Sequence, residues 1–437
     1  MTCFQDFGLA HPITRALAEE KYTSPTPIQT QTIPVALSRR DVIGIAQTGT
    51  GKTAAFALPI LHRLSTEQRP STHKTCRALV LCPTRELAGQ VLDSIRTYGR
   101  HLRITVALAI GGVSMGPQAR AVSNGVDVVV ATPGRLLDLV RSNALNLAKV
   151  EFLVLDEADR MLDMGFIHDI RNVVAKLPSQ RQTLFFSATM PRAIAELADR
   201  MLHNPVKVAV SPVASTAERV EQRIIHVDRS AKPAILANLL KREPVDRALV
   251  FTRTKRGADK VVRGLAMAGI AAQAIHGNKS QTQRDRVLKA FRNGHVRMLV
   301  ATDIAARGID VDGISHVVNF DIPNIPETYV HRIGRTARAG AEGVAISLCD
   351  SEERAYLRDI EKLIRMSITT VAMRQDPKEI GREIAPARSQ SSAHERAKQP
   401  NNSGKSHRQN SNAGLGGVAF MNRPTTSERN LRGHFPK

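Results

Sequence analysis

A chain of 437 residues is long enough for two or three domains, each with its own core, and 42% hydrophobic residues is the ordinary proportion for soluble globular domains. Its longest apolar runs, such as ITVALAI at 104–110 and VDVVVA at 126–131, fall far short of the ~20 residues of a membrane helix, and MTCFQDFGLA has neither the basic nor the apolar region of a secretory signal. The 62 Lys+Arg against 40 Asp+Glu leave a net charge of +22, which points to a polyanionic partner, while the scarcity of aromatics (no Trp, four Tyr, twelve Phe) argues against a base-stacking platform.

The charge is not confined to one end. Residues 371–437 carry a surplus of +7, so the first 370 keep +15. If nucleic acid is the partner, phosphate and sugar contacts should dominate, with weak sequence preference. The four cysteines, Cys3, Cys76, Cys82 and Cys349, have no C-x-x-C spacing and read as buried free thiols in a reducing cytoplasm.

In chain order, YTSPTPIQ (22–29) reads by itself as a Pro-capped helix start. DVIGIA (41–46) opens a series of short β-branched runs that continues with RALVLC (77–82), ITVALAI, DVVVAT (127–132), FLVLDE (152–157) and TLFFSAT (183–189). They are nearly all apolar rather than alternating, as parallel strands covered on both faces are. After NPVKVAV (204–210) the small, polar SPVASTAE reads as a linker. The pattern then restarts with RALVFT (247–252), AQAIHG (272–277), RMLVATD (297–303), HVVNFD (316–321) and GVAISL (343–348). Two α/β domains in tandem fit this better than one large sheet. Beyond about residue 370, Ser, Asn, Gln, Arg, Gly and Pro leave too little apolar surface to offset chain entropy.

AQTGTGKT (46–53) lies between a strand and an apolar helix, the setting that a phosphate-binding loop requires; Ala46 replaces the usual first glycine. Ala46, Gln47, Thr48, Gly49, Thr50, Gly51, Lys52 and Thr53 therefore form the candidate nucleotide cradle. Gly49 and Gly51 let backbone N–H groups close on phosphates, Lys52 reaches the β- and γ-phosphates, and Thr53 offers a hydroxyl towards Mg²⁺. LVLDEADRML then puts acids directly after a buried strand. Asp156 is assigned to the metal shell and Glu157 to activation of the attacking water.

Residues 215–365 contain no second such loop, yet HRIGRTARAG (331–340) sets Arg332, Arg335 and Arg338 three residues apart beside His331. Converging guanidiniums need an anion, and the one available is the γ-phosphate held by the first domain.

DEAD (156–159), SAT (187–189), PTREL (83–87), TPGR (132–135), ARGID (306–310) and HRIGRTAR (331–338), in this order over about residues 3–350, resemble the DEAD-box ATP-dependent RNA helicases. IHGNKSQ (275–281) and FTRTK (251–255) resemble the bacterial RhlE-like subgroup. The resemblance implies two tandem RecA-like domains, each a mostly parallel sheet flanked by helices, with a disordered basic tail. The expected bounds are 1–30 for an adenine-recognition segment, 31–207 for the ATP-binding domain, 208–218 for the linker, 219–370 for the C-terminal domain and 371–437 for the tail. It also implies ATP and Mg²⁺ as cofactors and local unwinding of short RNA duplexes. RNA is bound as single strands and short duplexes, by a cytoplasmic monomer with no membrane partner, and proteins of ribosome assembly or RNA degradation are candidate partners. The rival readings are an ATP-gated RNA clamp or ribonucleoprotein remodeller without productive unwinding, and a DNA-directed motor of related fold.

By the same resemblance, Phe4 stacks on adenine, Gln29 reads it and Asp310 meets the ribose. Arg335 and Arg338 are arginine fingers, and Ser187, Thr189 and His331 couple the sites. Arg85, Gly112, Thr132 and Arg135 on the first domain, with Arg253, Gly277 and Thr302 on the second, contact RNA. The choice of RNA over DNA is carried by the resemblance alone. Two glycines of the family are replaced here: Lys21 precedes Tyr22, and Ala337 stands where HRIGRTGR has glycine. With the rest of the cleft intact, negative φ is expected at Ala337 and the alanine should be tolerated.

Overall fold

Two seven-stranded sheets, parallel throughout, carry the architecture. The computed structural model describes residues 3–371 apart from 48, 68, 70, 211–219, 307–310, 312 and 338–341. The first sheet comprises β1 (Val42–Ile45), β2 (Cys76–Leu81), β3 (Val106–Ala109), β4 (Val126–Ala131), β5 (Phe152–Leu155), β6 (Gln182–Ser187) and β7 (Val206–Ala209), in the order β3-β4-β2-β5-β6-β1-β7. The second comprises β8 (Val220–His226), β9 (Ala248–Thr252), β10 (Ala272–Ile275), β11 (Met298–Thr302), β12 (His316–Asn319), β13 (Gly343–Cys349) and β14 (Thr369–Thr370), in the order β10-β11-β9-β12-β13-β8-β14.

The apolar runs become interior strands because both faces are covered. Every residue of β2, β5 and β6 is buried. The two-residue period sends Ala78 and Val80 into one helix-covered core while Leu79 and Leu81 enter the other. The second sheet repeats the division, with Ala248 and Val250 on one side and Leu249 and Phe251 on the other. Cys76, Cys82 and Cys349 are buried in these cores, whereas Cys3 is only half-buried.

Two strands escape the sequence pattern. In β8 the apolar run is broken by Glu221, Gln222 and Arg223, of which Gln222 is buried, Arg223 half-buried and Glu221 exposed. The two-residue β14 closes the sheet's edge beside it, and the Val371 amide donates to the Ile224 carbonyl at 2.8 Å. At the other boundary β7 reaches Ala209, two residues past the expected end of the first domain.

The expectation for Ala337 is overturned: its φ is +53°, in the left-handed region. Thr336 anchors the turn by donating its hydroxyl to the carbonyls of Ile314 and Ser315, and a Cβ on Gly343 would lie 2.6 Å from the Ala337 amide nitrogen. The backbone is thus held against the start of β13, and residue 337 takes the φ that the turn imposes. Lys21 also has positive φ, +60°, where its amide donates to the Ala18 carbonyl and closes the first helix. Both substituted glycines therefore occupy positions that suit glycine, at a cost of roughly 1–2 kcal/mol for a side-chain-bearing residue, partly offset by glycine's entropy. Ala337→Gly and Lys21→Gly should each stabilise the protein by about 0.5–1 kcal/mol in chemical denaturation. A loss of stability in either variant would contradict the strain argument.

Candidate ATP site and nucleic-acid face

Parallel strands deliver all their C-terminal ends to one edge, where ligands bind in α/β sheets. The loops after neighbouring strands β5, β6 and β1 carry Asp156 and Glu157, Ser187 at the strand end, and the phosphate-binding loop. The other half of that edge, after β3, β4 and β2, carries Gly112, Thr132 with Arg135, and Arg85. In the second sheet the corresponding strands β10, β11 and β9 lead to Gly277, Thr302 and Arg253. One half of the first sheet thus groups the nucleotide residues, and matching halves of both sheets group the residues expected on RNA.

The phosphate-binding loop bends through positive φ at Gly49 (+82°) and Gly51 (+89°) before the helix Lys52–Thr66. Gly51 is required twice over, because a Cβ there would lie 2.3 Å from the Gln29 amide nitrogen. That amide is fully oriented: its N–H donates to the Gly51 carbonyl at 3.0 Å, and its oxygen accepts from the Thr26 N–H at 2.9 Å. One N–H and one oxygen lone pair remain for a ligand. Phe4, by contrast, is 1% exposed, its ring packed on Phe7 and Tyr22; the exposed aromatic is Tyr22 at 40%.

Lys52 Nζ, Asp156 Oδ1 and Glu157 Oε2 are buried and have no hydrogen-bond partner among the described residues. Lys52 Nζ lies 4.0 Å from Asp156 Oδ1, too far for a hydrogen bond. Burial, reinforced by Glu157 and opposed by Lys52, pushes the Asp156 carboxyl up to about 6. Glu157 sits at φ +54°, a strained backbone for a non-glycine residue. One cation and two anions left unsatisfied fit a phosphate bound together with a divalent metal, with Thr53 and Asp156 on the metal side.

Asp159 ties this site to Ser187 and Thr189. Its amide donates to the Ser187 hydroxyl at 3.2 Å, and its carboxylate accepts from the Thr189 amide and hydroxyl at 2.9 and 3.0 Å. Thr189 and Gln47 then share a small cavity with Glu327, Val330 and His331 of the second domain. Arg335, 4% exposed, donates from Nε to the His331 carbonyl at 3.3 Å and lines a cavity with Arg160 and Asp303. Arg332 does not belong with the anion-seeking arginines. Asp303 holds its guanidinium from two sides at 2.6 and 2.8 Å, Asn319 and the Asp321 carbonyl take Nη1, and Phe251 lies 5.0 Å beneath. Thr48, Asp310 and Arg338 lie outside the described residues.

On the nucleic-acid face, Arg85 begins the helix Arg85–Tyr98 and lies over the Gly111–Gly112 turn; a Cβ on Gly112 would meet its guanidinium at 1.9 Å. Arg135 donates to the Val113 carbonyl at 3.0 Å. Burial presses the pKa of Arg85 down, and the charges of Arg284 and Arg135 add to this against the opposing Glu86, as expected of a face short of anions. Arg253 is 45% exposed on its side chain, with one end held by Glu353 Oε1 at 2.7 Å and the Ile322 carbonyl at 3.2 Å. Gly277 packs on Lys255, and Thr302 ends β11.

Sequence reasoning missed three residues that join these halves. Glu86 forms an ion pair with Arg284 at 2.8 Å and accepts from Gln281 at 3.2 Å, and Gln281 also accepts from Arg85 at 3.3 Å. Gln281 and Arg284 share one face of the helix Gln281–Arg292 by their i, i+3 spacing, but spacing alone does not reveal a partner nearly 200 residues away.

Residues 26–197 match the DEAD/DEAH box helicase family, and residues 231–340 match the helicase conserved C-terminal domain. The chain is 44% identical over 364 residues to the ATP-dependent RNA helicase CshA of Listeria monocytogenes, covering 83% of this chain and 69% of that one. It is 45% identical over 366 residues to the RNA helicase CrhR of Synechocystis, covering 84% and 73%. Among solved structures, S. cerevisiae Dbp5 bound to RNA and ADP BeF3 matches with a TM-score of 0.77 at 31% identity, over 87% of this chain and 98% of that chain. This chain belongs to the DEAD-box helicase family. The relatives bear the names CshA and CrhR rather than RhlE.

Because the folded-state pKa of Asp156 is raised from 3.8 to about 6, its ionisation opposes folding: the wild type gives up stability as pH rises between those values. Asp156→Asn should therefore be more stable than wild type at about pH 8 without nucleotide, and the difference should vanish below about pH 4. Urea denaturation at the two pH values checks the sign. An equal difference at both would mean that Asp156 does not carry the burden.

Proposed function

We infer that the protein is an ATP-dependent RNA helicase that opens short duplexes locally, with hydrolysis resetting a closed two-domain state. The observation that carries this reading is the trio Lys52, Asp156 and Glu157, buried and unsatisfied in the first domain beside a second domain that supplies buried arginine and holds no phosphate loop. Lys52 and the loop amides bind the phosphates, and Thr53 and Asp156 would hold Mg²⁺, which when bound would neutralise charge on the phosphates. Glu157 orients and deprotonates the attacking water. Arg335, with Arg338, stabilises charge developing on the γ-phosphate, an effect of ~10³–10⁵ in rate for such fingers generally. His331 and Thr189 line the cavity between the domains, so closure on ATP and closure on RNA are one movement.

Tyr22 offers the exposed ring for adenine, supported from behind by Phe4. Gln29 reads the base, and Asp310 meets the ribose. On the RNA side, Arg85, Thr132, Arg135, Gly112, Arg253, Gly277 and Thr302 contact the backbone. No helix among the described residues is long and apolar enough to cross a membrane. Monomeric work in the cytoplasm, an RhlE-like place within the family and a non-specific RNA tether in the basic tail complete the proposal. The intact Glu157 favours turnover over a clamp that never unwinds.

Glu157→Gln should retain ATP and RNA binding but stop turnover, because the base is lost and the shape kept. A steady-state hydrolysis rate within about threefold of wild type would sink the assignment; strand displacement on a short RNA duplex then separates helicase from clamp. Nucleotide choice should also be strict. Reading guanine would need the Gln29 amide reversed, breaking both its bond to Gly51 and its cap on Thr26, at ~1–3 kcal/mol for the groups left unpaired. GTP supporting hydrolysis as efficiently as ATP would exclude this role.

A further inference from the structure

We propose that the outer face of the helix Lys255–Met267 extends the nucleic-acid track and binds the phosphates of RNA that continues past the cleft. The helix leaves the Arg253 loop directly, capped by the Thr254 hydroxyl accepting from the Gly257 amide at 3.0 Å. It buries Ala258, Val261 and Leu265 against the sheet. The opposite side presents Arg256, Lys260 and Arg263, spaced i, i+4, i+7 and all exposed.

None of these three side chains has an ion pair or hydrogen bond among the described residues. Some exposed arginines on other helices pair one turn along, as in Arg15–Glu19 and Arg192–Glu196, while others such as Arg171 and Arg358 stand alone; what sets this helix apart is three cations in one row beside the Arg253 loop. The helix's one acid, Asp259, is drawn aside by His276 and Lys279, each at 3.1 Å, and leaves the stripe uncompensated. Like charges one turn apart work against the helix's own stability, so an external anion is the missing counterpart. At 1.5 Å per residue the stripe spans about 10 Å, the axial length of about three phosphates on one strand. A protein partner fits less well: the stripe has no apolar or aromatic anchor, and the exposed Met267 lies a turn beyond it.

The inference rests on the RNA-helicase reading, and RNA length separates the two. The full chain and its Arg256→Gln/Lys260→Gln/Arg263→Gln variant are titrated with labelled single-stranded RNAs of about 8 and about 20 nucleotides across a salt series. With the short strand, affinity and stimulated ATPase should agree within about twofold. With the long strand the variant should bind about tenfold more weakly at low salt, and its slope of log affinity against log salt should be shallower by about 2, from ~0.7 per phosphate. Arg256→Lys/Arg263→Lys should keep the wild-type slope. An unchanged slope and affinity on the long strand overturns the proposal, as does an equal loss on both lengths. Wild-type protein whose ATPase ignores both RNAs would instead bring down the helicase reading.

Discussion

A charge buried without a partner is expensive, and the interior of this protein's cleft holds several. Lys52, Asp156 and Glu157 cannot satisfy one another at their separations, and burial has moved Asp156 to about 6 rather than letting it ionise freely. Arg335 is buried on the facing domain, where it donates to the His331 carbonyl. Lys52, Asp156 and Glu157 are left incomplete among the described residues, and a nucleotide triphosphate with a divalent cation would complete them together. On the proposed reading, domain closure, nucleotide choice and hydrolysis follow from that electrostatic incompleteness.

The sheets determine which loops can take part. Parallel pairing gathers the strands' C-terminal ends on one edge, and the strand order divides that edge between the residues proposed for nucleotide and those proposed for RNA. Gln29 binds the segment proposed to read adenine to the phosphate loop, Asp159 binds the acidic loop to Thr189, and Glu86 joins the proposed RNA faces of the two domains through Gln281 and Arg284. These are short contacts with buried partners, so a change at one site reaches the next without a long mechanical path. Glu157 on strained backbone belongs to the same economy of structure: it is held by its surroundings at a φ that its own side chain disfavours.

Much of this was legible in the sequence because it depends on local pattern. Buried parallel strands read as apolar runs, and a phosphate loop between strand and helix declares itself by glycines and Lys-Thr. What stayed hidden depends on contacts across the chain. Arg332 looked like one of three phosphate-seeking arginines, but Asp303, 29 residues earlier in the chain, neutralises it. Ala337 looked tolerable because the rest of the cleft is intact, whereas its φ is positive in a turn held by Thr336 reaching Ile314 and Ser315. The strand β8 was obscured by its polar run Glu221, Gln222 and Arg223, and the Glu86–Arg284 pair joins segments that share no local signal.

The central claim is that the second domain completes a catalytic site that the first domain only begins. Single-turnover hydrolysis by Arg335→Ala, with saturating RNA, tests it most directly when ATP affinity is measured alongside. ATP binding should stay within about threefold of wild type while the hydrolysis rate falls by about 100-fold or more. Hydrolysis at the wild-type rate would contradict it, because the first domain would then suffice alone.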